Sequence, residues 1–149
     1  MSTETRSLII LQVEDTPSDA ILTAHALKGG PVDHSIHVVG DGNKALAFLK
    51  QADGFADSPR PDLILLDLSL PGLNGHEILD VIKKDDSLRT IPVVVFTTLD
   101  NRDSQRLAYE LCANSYVIKP LGLAEFTKKV QSIASYWSET SVTAPSRAA

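Results

Sequence analysis

Five short runs rich in Leu, Ile and Val alternate along this chain with segments of helical spacing, and this alternation constrains the fold more than any other feature. The runs are interpreted as strands at residues 8–13, 35–39, 63–66, 92–96 and 116–118. Strict alternation of buried-looking strands with helices is typical of βαβ crossovers, which build a parallel sheet covered on both faces. The pattern therefore predicts an α/β fold.

Five such units predict a flavodoxin-like, doubly wound five-stranded parallel sheet with five helices. The expected strand order is 2-1-3-4-5, which puts the topological switch point between the first and third strands. Thr16 before Pro17 is a helix start signal, and Asp100 is a start signal for a helix over 101–111. The Gly-Gly-Pro sequence at 29–31 is a stop signal.

The length of 149 residues fits one domain, since single cores of roughly 100 to 150 residues are the commonest size. We expect a flexible N-terminus at residues 1–6, a folded domain at 7–137 and a flexible tail at 138–149, where Ser, Thr, Ala and Pro dominate. A surface loop with a glycine and a proline is expected at 51–60.

The charge balance disfavours nucleic acid as a partner. Fourteen Lys and Arg residues stand against nineteen Asp and Glu, which leaves a formal net charge of −5 and no basic block to follow a phosphate backbone. The apolar run at 8–13 is far shorter than the roughly 20 residues of a membrane span. With one cysteine, Cys112, and no secretory signal, we expect no membrane association and a cytoplasmic location.

Polar side chains stand at the carboxyl ends of four of the five predicted strands. Glu14 and Asp15 follow the first strand, Asp67 ends the third, Thr97 ends the fourth and Lys119 ends the fifth. Ligands of open α/β sheets bind at those ends, next to the switch point. We therefore expect these side chains to converge on one cleft, although each alone has an ordinary structural explanation.

Three carboxylates brought close together repel one another unless their pKa values rise or a cation joins them. Carboxylate, carbonyl and water oxygens suit a hard divalent ion such as Mg²⁺. We expect Asp15 and Asp67 to bind Mg²⁺ directly, with the backbone carbonyl of Ser69 as a third ligand. Glu14 is expected to act directly or through a water molecule.

A carboxylate in such a cleft can serve as a nucleophile and form an aspartyl phosphate. Asp67 is the expected phosphoacceptor. Phosphoryl transfer requires positive charge on the equatorial oxygens, and Lys119 would supply it opposite the metal. The Thr97 hydroxyl is placed to donate to a phosphoryl oxygen, which makes it the expected sensor of the modified state.

These residues resemble the motifs of receiver domains of two-component response regulators. The resemblance spans about residues 8–137, and its motifs are LQVED at 11–15, LLDLSLPG at 65–72 with Gly75 following, VFTT at 95–98 and YVIKP at 116–120. It implies that a histidine kinase donates the phosphoryl group and that Mg²⁺ is required. It also implies a phosphoacceptor rather than an enzyme, with self-phosphorylation and slow self-dephosphorylation at most.

Within that family, the segments at 56–62 and 87–92 look like those of single-domain regulators that are paired with cyanobacterial and other bacterial phytochrome histidine kinases. This resemblance implies a red-light-sensing histidine kinase as partner and a tendency to form homodimers. Thr16 departs from the family pattern, which often has Asn after the acidic pair.

By resemblance, Tyr116 occupies the aromatic switch position, whose ring turns inward when Thr97 is drawn toward a phosphoryl group. The alternative is an aromatic residue that merely packs. The output face would be formed by the fourth helix, the fifth strand and the fifth helix. Leu107, Leu111 and Val117 are candidates for a homodimer interface on that face.

Other residues are interpreted as structural. Cys112 is expected to be a small packing residue, and the four scattered histidines lack the clustering of a zinc site. The core stripe expected on the fifth helix consists of Leu123, Phe126, Val130, Ile133 and Trp137.

Three rival functions remain. A phosphatase of the haloacid dehalogenase type would carry a second Asp where this chain has Ser69, so its general acid is missing. A nucleotide or flavin binder would need glycine after the first strand, where the chain has an acidic pair. A pseudo-receiver that acts only as an interaction module is disfavoured by the retained site residues.

Overall fold

The computed structural model of the chain describes residues 7–140. Within that range, five strands form one sheet: β1 (Leu8–Val13), β2 (His34–Val39), β3 (Leu63–Leu66), β4 (Val93–Thr97) and β5 (Ser115–Ile118). They lie in the order β2-β1-β3-β4-β5, and every neighbouring pair is parallel. The predicted fold class and strand order are confirmed.

Five α-helices connect and cover the strands: α1 (Pro17–Lys28), α2 (Gly42–Lys50), α3 (Gly75–Lys84), α4 (Arg102–Glu110) and α5 (Leu123–Ser135). As predicted, α1 starts at Pro17 and ends before Gly29. The predicted start of α4 is one residue early. Asn101 rather than Asp100 is the N-cap, because the Asn101 side chain accepts a hydrogen bond from the Ser104 amide at 2.8 Å.

Two apolar layers enclose the sheet. Leu11 and Val13 of β1 pack against α2, α3 and α4 on one face, whereas Leu8 and Ile10 pack against α1 and α5 on the other. This alternation follows from the opposite directions of successive side chains in a strand. Because helices cover both faces, polar side chains of the central strands meet at the strand ends.

The core stripe predicted on α5 is correct except at one position. Phe126 and Val130 are buried, and Ile133 and Trp137 pack partly against the same cluster. Leu123 is 62% exposed, because it is the first residue of α5 and lies beyond the turns that pack on the sheet. The prediction that Leu123 belongs to the core is therefore wrong.

Helical structure extends past the tail boundary expected at residue 138. A π-helical turn, Tyr136–Thr140, follows α5 directly. The Ser138 hydroxyl donates to the Ser135 carbonyl at 3.4 Å, which ties this turn to the end of α5. Of the expected flexible segments at 1–6 and 138–149, residues 1–6 and 141–149 lie outside the described residues.

Two further sequence predictions concern the loop at 51–60 and Cys112. The expected loop at 51–60 is observed as a series of turns, with positive φ angles of 56° at Gln51 and 47° at Asp53. Cys112 is exposed, so the packing role expected for it is wrong. The chain turns at Cys112 with φ 72°. Over the described range, no helix has the length and apolar character of a membrane span.

Candidate functional site

Four of the predicted site residues lie together at the carboxyl edge of the sheet. Lys119 follows β5, and its Nζ donates to Asp67 Oδ2 at 2.9 Å. The same Nζ donates to Glu14 Oε1 at 2.5 Å. Thr97 is fully buried at the end of β4, and its hydroxyl helps to lower the pKa of the Asp67 carboxyl. The side chains share one cleft, while the roles predicted for them stay predictions.

Lys119 is the centre of this cluster. Its backbone amide donates to the Thr97 carbonyl at 2.7 Å, which continues the pairing of β4 and β5 and fixes where the side chain starts. The side chain is 3% exposed, and Nζ lies 5.9 Å from the Phe96 ring centroid. A buried ammonium requires acceptors. Its acceptors are three carboxylates: Glu14, Asp19 and Asp67.

Asp67 is held by β1 and by the start of α3. Its amide donates to the Val13 carbonyl at 3.1 Å, and its Oδ1 accepts from the Ser69 amide at 3.1 Å. The Gly75 amide donates to the Leu68 carbonyl at 3.1 Å. A Cβ at position 75 would lie 2.5 Å from the Asp67 carbonyl oxygen, so only glycine allows α3 to start this close to the strand end.

Asp15 and Ser69, two of the predicted metal ligands, are both exposed at the rim of the cleft. Among the residues whose side chains are described, no group of three or more His, Cys, Asp and Glu is arranged to hold a metal ion. The carboxylates of Glu14 and Asp67 are joined through Lys119 instead. The ligand set of Glu14, Asp15, Asp67 and the Ser69 carbonyl therefore stays a prediction.

Burial and ion pairing shift the pKa values in the cleft in different directions. Burial raises the pKa of Glu14 to about 7, against the opposing effect of Lys119. Burial also favours protonated Asp67, but the hydrogen bonds it accepts, that from Lys119 foremost, outweigh burial and lower the pKa of Asp67. In the same way, burial opposes the charge of Lys119, but hydrogen bonds to its carboxylate partners outweigh this effect and raise its pKa. Asp67 is therefore an anion beside a fixed cation.

Tyr116 lies on β5 and reaches the loop that follows Thr97. Its hydroxyl donates to the Leu99 carbonyl at 2.7 Å and lies 3.1 Å from the Ser104 hydroxyl in α4. Burial raises the pKa of the Tyr116 phenol. The Thr97 hydroxyl accepts a hydrogen bond from the Leu99 amide at 3.4 Å. The predicted sensor and the predicted switch residue thus contact the same residue, and the switch itself stays a prediction.

Asp19 is the residue of the cleft that sequence analysis missed. Its Oδ2 lies 2.8 Å from Lys119 Nζ, although the sequence marks it only as an acidic residue in the first turn of α1. One signal was available, because α1 starts directly after the loop that carries Glu14. The first turn of such a helix lies at the carboxyl edge of the sheet, where the cleft is.

The fold and the cleft together define a class of protein. A parallel sheet in this order, with a buried acidic residue after β3, a hydroxyl at the end of β4 and a lysine after β5, is the arrangement of a receiver domain. Residues 10–131 match the response regulator receiver domain family. The chain belongs to this family, whose members are generally signalling domains rather than enzymes.

Similar proteins cover nearly the whole chain. It is 46% identical over 137 residues to response regulator Rcp1 of Synechocystis sp., with 92% of each chain covered. The structure of the Mn²⁺-bound form of Rcp1 gives a TM-score of 0.87 at 43% identity, and the match covers 93% of this chain and 99% of that chain. The phosphorylated cyanobacterial phytochrome response regulator RcpA gives 0.89 at 39% identity with the same coverage. The resemblance to phytochrome-associated regulators is confirmed.

Proposed function

We propose that this chain is a phosphoacceptor switch that takes a phosphoryl group from a histidine kinase onto Asp67. The observation that carries the proposal is the buried pair of Lys119 and Asp67, joined at 2.9 Å with side chains 3% and 8% exposed. An ionised carboxylate beside a fixed cation is a nucleophile in a site that already balances phosphoryl charge. A pseudo-receiver is disfavoured. Burying these charges costs free energy, and a module that only binds partners has no use for a buried ion pair.

The transfer forms one bond to phosphorus and breaks another. An Asp67 carboxylate oxygen attacks phosphorus, the bond to the donor's histidine nitrogen breaks, and the imidazole leaves with the electron pair and takes up a proton. With acetyl phosphate, the bond from phosphorus to the acetate oxygen breaks and acetate leaves. Lys119 hydrogen-bonds one phosphoryl oxygen, and the Thr97 hydroxyl donates to another.

The donor atoms of the cleft fit a divalent cation, and we propose Mg²⁺. The cleft holds the Lys119 ammonium and four carboxylates, which leaves a formal charge of −3: Glu14, Asp15, Asp19 and Asp67. Carboxylate oxygens and the Ser69 carbonyl are hard ligands that suit this ion. When bound, Mg²⁺ would offset charge on the phosphoryl oxygens. The proposed ligands are Glu14, Asp15, Asp67 and the Ser69 carbonyl. The Mn²⁺-bound structure of the similar regulator Rcp1 supports the proposal of a metal site.

The donor we propose is a phytochrome-type histidine kinase. The name of RcpA, a cyanobacterial phytochrome response regulator, supports this partner, as does the identity of 46% to Rcp1. The proposal keeps the cytoplasmic location expected from the sequence. It excludes nucleic acid as a partner, in line with the net charge of −5.

We propose that the chain has no turnover activity beyond self-phosphorylation with small donors and slow self-dephosphorylation. The residue two positions after Asp67 is Ser69, whose hydroxyl cannot act as the carboxylic general acid of a phosphatase. Hydrolysis then depends on water that reaches a phosphoryl group held by Lys119. The signal is passed on by protein contact.

The output and homodimer surface that we propose is the face of α4, β5 and α5. Leu107 is 41%, Tyr109 52% and Ile118 38% exposed on this face. Leu111 and Val117 pack partly against the core, so they would contribute only their exposed portions. Exposed apolar side chains that cluster on one face are typical of a protein interface.

The proposed function is tested by intact mass spectrometry after incubation with Mg²⁺ and acetyl phosphate. We expect a single phosphoryl adduct on the wild type, labile to base as an acyl phosphate is, and none with EDTA or in Asp67→Asn. The same adduct is expected with a phosphorylated phytochrome-type kinase as donor. A wild type that stays unmodified with both donors would make the pseudo-receiver the better account.

A further inference from the structure

Asp19 holds Lys119 from the side of α1. Its Oδ2 lies 2.8 Å from Nζ, and Glu14 and Asp67 are the other two acceptors. An ammonium has three N–H donors, so the three carboxylates take all of them. The Asp19 side chain is 26% exposed while that of Lys119 is 3% exposed. Asp19 therefore forms the solvent side of the cluster.

The local structure of α1 leaves the Asp19 carboxylate free for this contact. Thr16 is the N-cap, so Asp19 is the third helical residue, from which an acidic side chain often reaches back to the N-cap amide. Here the Thr16 amide donates to Glu14 Oε2 at 3.3 Å instead. With that amide already satisfied, Asp19 turns toward Lys119.

The backbone of Asp19 is anchored to the sheet. Its carbonyl accepts from the Thr23 hydroxyl at 2.9 Å, and that hydroxyl accepts from Gln12 Nε2 at 3.0 Å. Thr23 and Gln12 are both buried. Because Gln12 belongs to β1, the strand that leads to Glu14, the first turns of α1 have a fixed position relative to the cleft.

We propose that Asp19 is a positioning residue that keeps the Lys119 ammonium aimed at Asp67 before, during and after phosphoryl transfer; this inference rests on the proposed phosphoacceptor function. When Asp67 is phosphorylated, a phosphoryl oxygen accepts the hydrogen bond that Lys119 donated to the Asp67 carboxylate before. Glu14 is a proposed metal ligand, so its carboxylate oxygens would then be shared between Lys119 and the metal ion. Asp19 lies outside the proposed ligand set, so it is the partner that Lys119 retains.

Asp19 also has an ordinary structural role to be separated from this one. A negative charge in the first turn of α1 stabilises the helix through its dipole, whatever that charge contacts. Ser18 is exposed in the same turn. The double variant Asp19→Ala with Ser18→Asp therefore restores the charge of the turn without restoring the contact to Lys119.

The kinetic test compares initial rates of phosphorylation by acetyl phosphate at saturating Mg²⁺. Asp19→Ala is expected to react about 10-fold or more slowly, because a misplaced cation loses alignment with the phosphoryl oxygens. Asp19→Asn is expected to stay within about 3-fold of wild type, because its amide oxygen still accepts from Lys119. The double variant is expected to be as slow as Asp19→Ala. Thermal melts confirm that each variant folds.

A second readout needs neither metal nor phosphodonor. Proton exchange of the Lys119 ammonium is followed by ¹⁵N–¹H correlation spectra, with the signal assigned by its loss in Lys119→Arg. In the wild type the buried, hydrogen-bonded ammonium is expected to exchange slowly enough to be observed. Asp19→Ala and the double variant are expected to lose the signal to fast exchange, whereas Asp19→Asn retains it.

The outcomes separate this inference from the function on which it rests. A wild type that is phosphorylated, with Asp19→Ala equal to it in rate and in Lys119 exchange, would overturn the inference alone. Recovery of the wild-type rate in the double variant would also overturn it, in favour of the helix-dipole role. A wild type that takes up no phosphoryl group would overturn the proposed function and the inference with it.

Discussion

Glu14 and Asp67 share the ammonium of Lys119, yet the pKa values of the two carboxyls shift in opposite directions. Glu14 is 1% exposed, and burial raises its pKa to about 7. Burial also opposes the charge of Asp67, but the hydrogen bonds from Lys119 and from the Ser69 amide outweigh burial and lower the pKa of Asp67. Glu14 is therefore close to holding a proton at neutral pH, whereas Asp67 stays ionised as a nucleophile must.

We predict that the free energy of unfolding of the metal-free protein carries a contribution from Glu14 that falls as the pH rises from about 4.5 to about 7. In this window the unfolded chain has released the Glu14 proton while the folded protein retains it, so rising pH favours the unfolded state. The total fall is up to about 3 kcal/mol for a shift of this size. Urea unfolding at several pH values in EDTA measures it.

The control for this prediction is Glu14→Gln, which cannot titrate and is expected to remove the contribution. Glu110→Gln changes an exposed glutamate of α4 and is expected to leave the wild-type pH profile intact. Mg²⁺ is expected to reduce the fall, because it binds the ionised carboxylate. A profile of Glu14→Gln that matches the wild type would contradict the assignment.

For individual residues, the sequence was enough to predict which residue types line the cleft, but it did not predict all of their contacts. Glu14, Asp67, Thr97 and Lys119 were predictable because the ends of parallel strands meet at one edge. The contact between Asp19 and Lys119 was not predictable, since it depends on which oxygen accepts the hydrogen bond of the Thr16 amide. The exposure of Asp15 was not predictable either, because rotamers at a rim are set by neighbours distant in sequence.

Among the elements, the start of α3 packs against the end of β3 more closely than a side chain permits. Gly75→Ala is expected to lower the free energy of unfolding by about 1–3 kcal/mol, the usual cost of overpacking. The new Cβ would meet the backbone of Asp67 and Leu68 at 2.5 Å, and backbone cannot rotate away. Urea unfolding measures the effect, and the rate of phosphorylation is expected to fall as Asp67 is displaced.

Gly40→Ala is the matched control, because a Cβ there meets nothing within 4 Å. It is expected to change stability by less than about 1 kcal/mol. Equal losses from the two substitutions would mean that the loss at position 75 does not arise from contact with the strand end.

The contact between β5 and the loop after β4 depends on one phenol. Tyr116→Phe removes the hydroxyl that donates to the Leu99 carbonyl at 2.7 Å, and is expected to cost about 1 kcal/mol of stability. Hydrogen exchange measured by mass spectrometry is expected to quicken in residues 98–101. Tyr136→Phe, at a residue 50% exposed on the π-helical turn after α5, serves as the control and is expected to leave that loop unchanged. Unaltered exchange in Tyr116→Phe would contradict the coupling.

For the whole molecule, the exposed apolar residues of α4 and β5 predict self-association. Sedimentation is expected to show a monomer–dimer equilibrium that Leu107→Glu shifts to monomer, because a charge is costly to bury in an interface. Ile21→Glu replaces an apolar residue that is 67% exposed on α1 and is expected to leave the equilibrium unchanged. Wild type that remains monomeric at high concentration would contradict the dimer.

The fold as a whole was more predictable than its edges. The continuous apolar character of β3 and β4 indicated burial on both faces, and the alternation with helices then indicated a parallel sheet. The errors lie where packing ends, at Leu123 and at Cys112. At such positions a residue's type says little about its exposure, because the neighbours that decide it come from other elements.

The measurement that tests the central claim most directly is to locate the phosphoryl group. Protein phosphorylated with acetyl phosphate and Mg²⁺ is reduced with borohydride, which converts an aspartyl phosphate to homoserine, and the peptides are sequenced by mass spectrometry. We predict homoserine at position 67 alone, and none in Asp67→Asn. Homoserine at position 15 or 19, or a phosphoryl adduct that survives in Asp67→Asn, would contradict the assignment of Asp67 as the phosphoacceptor.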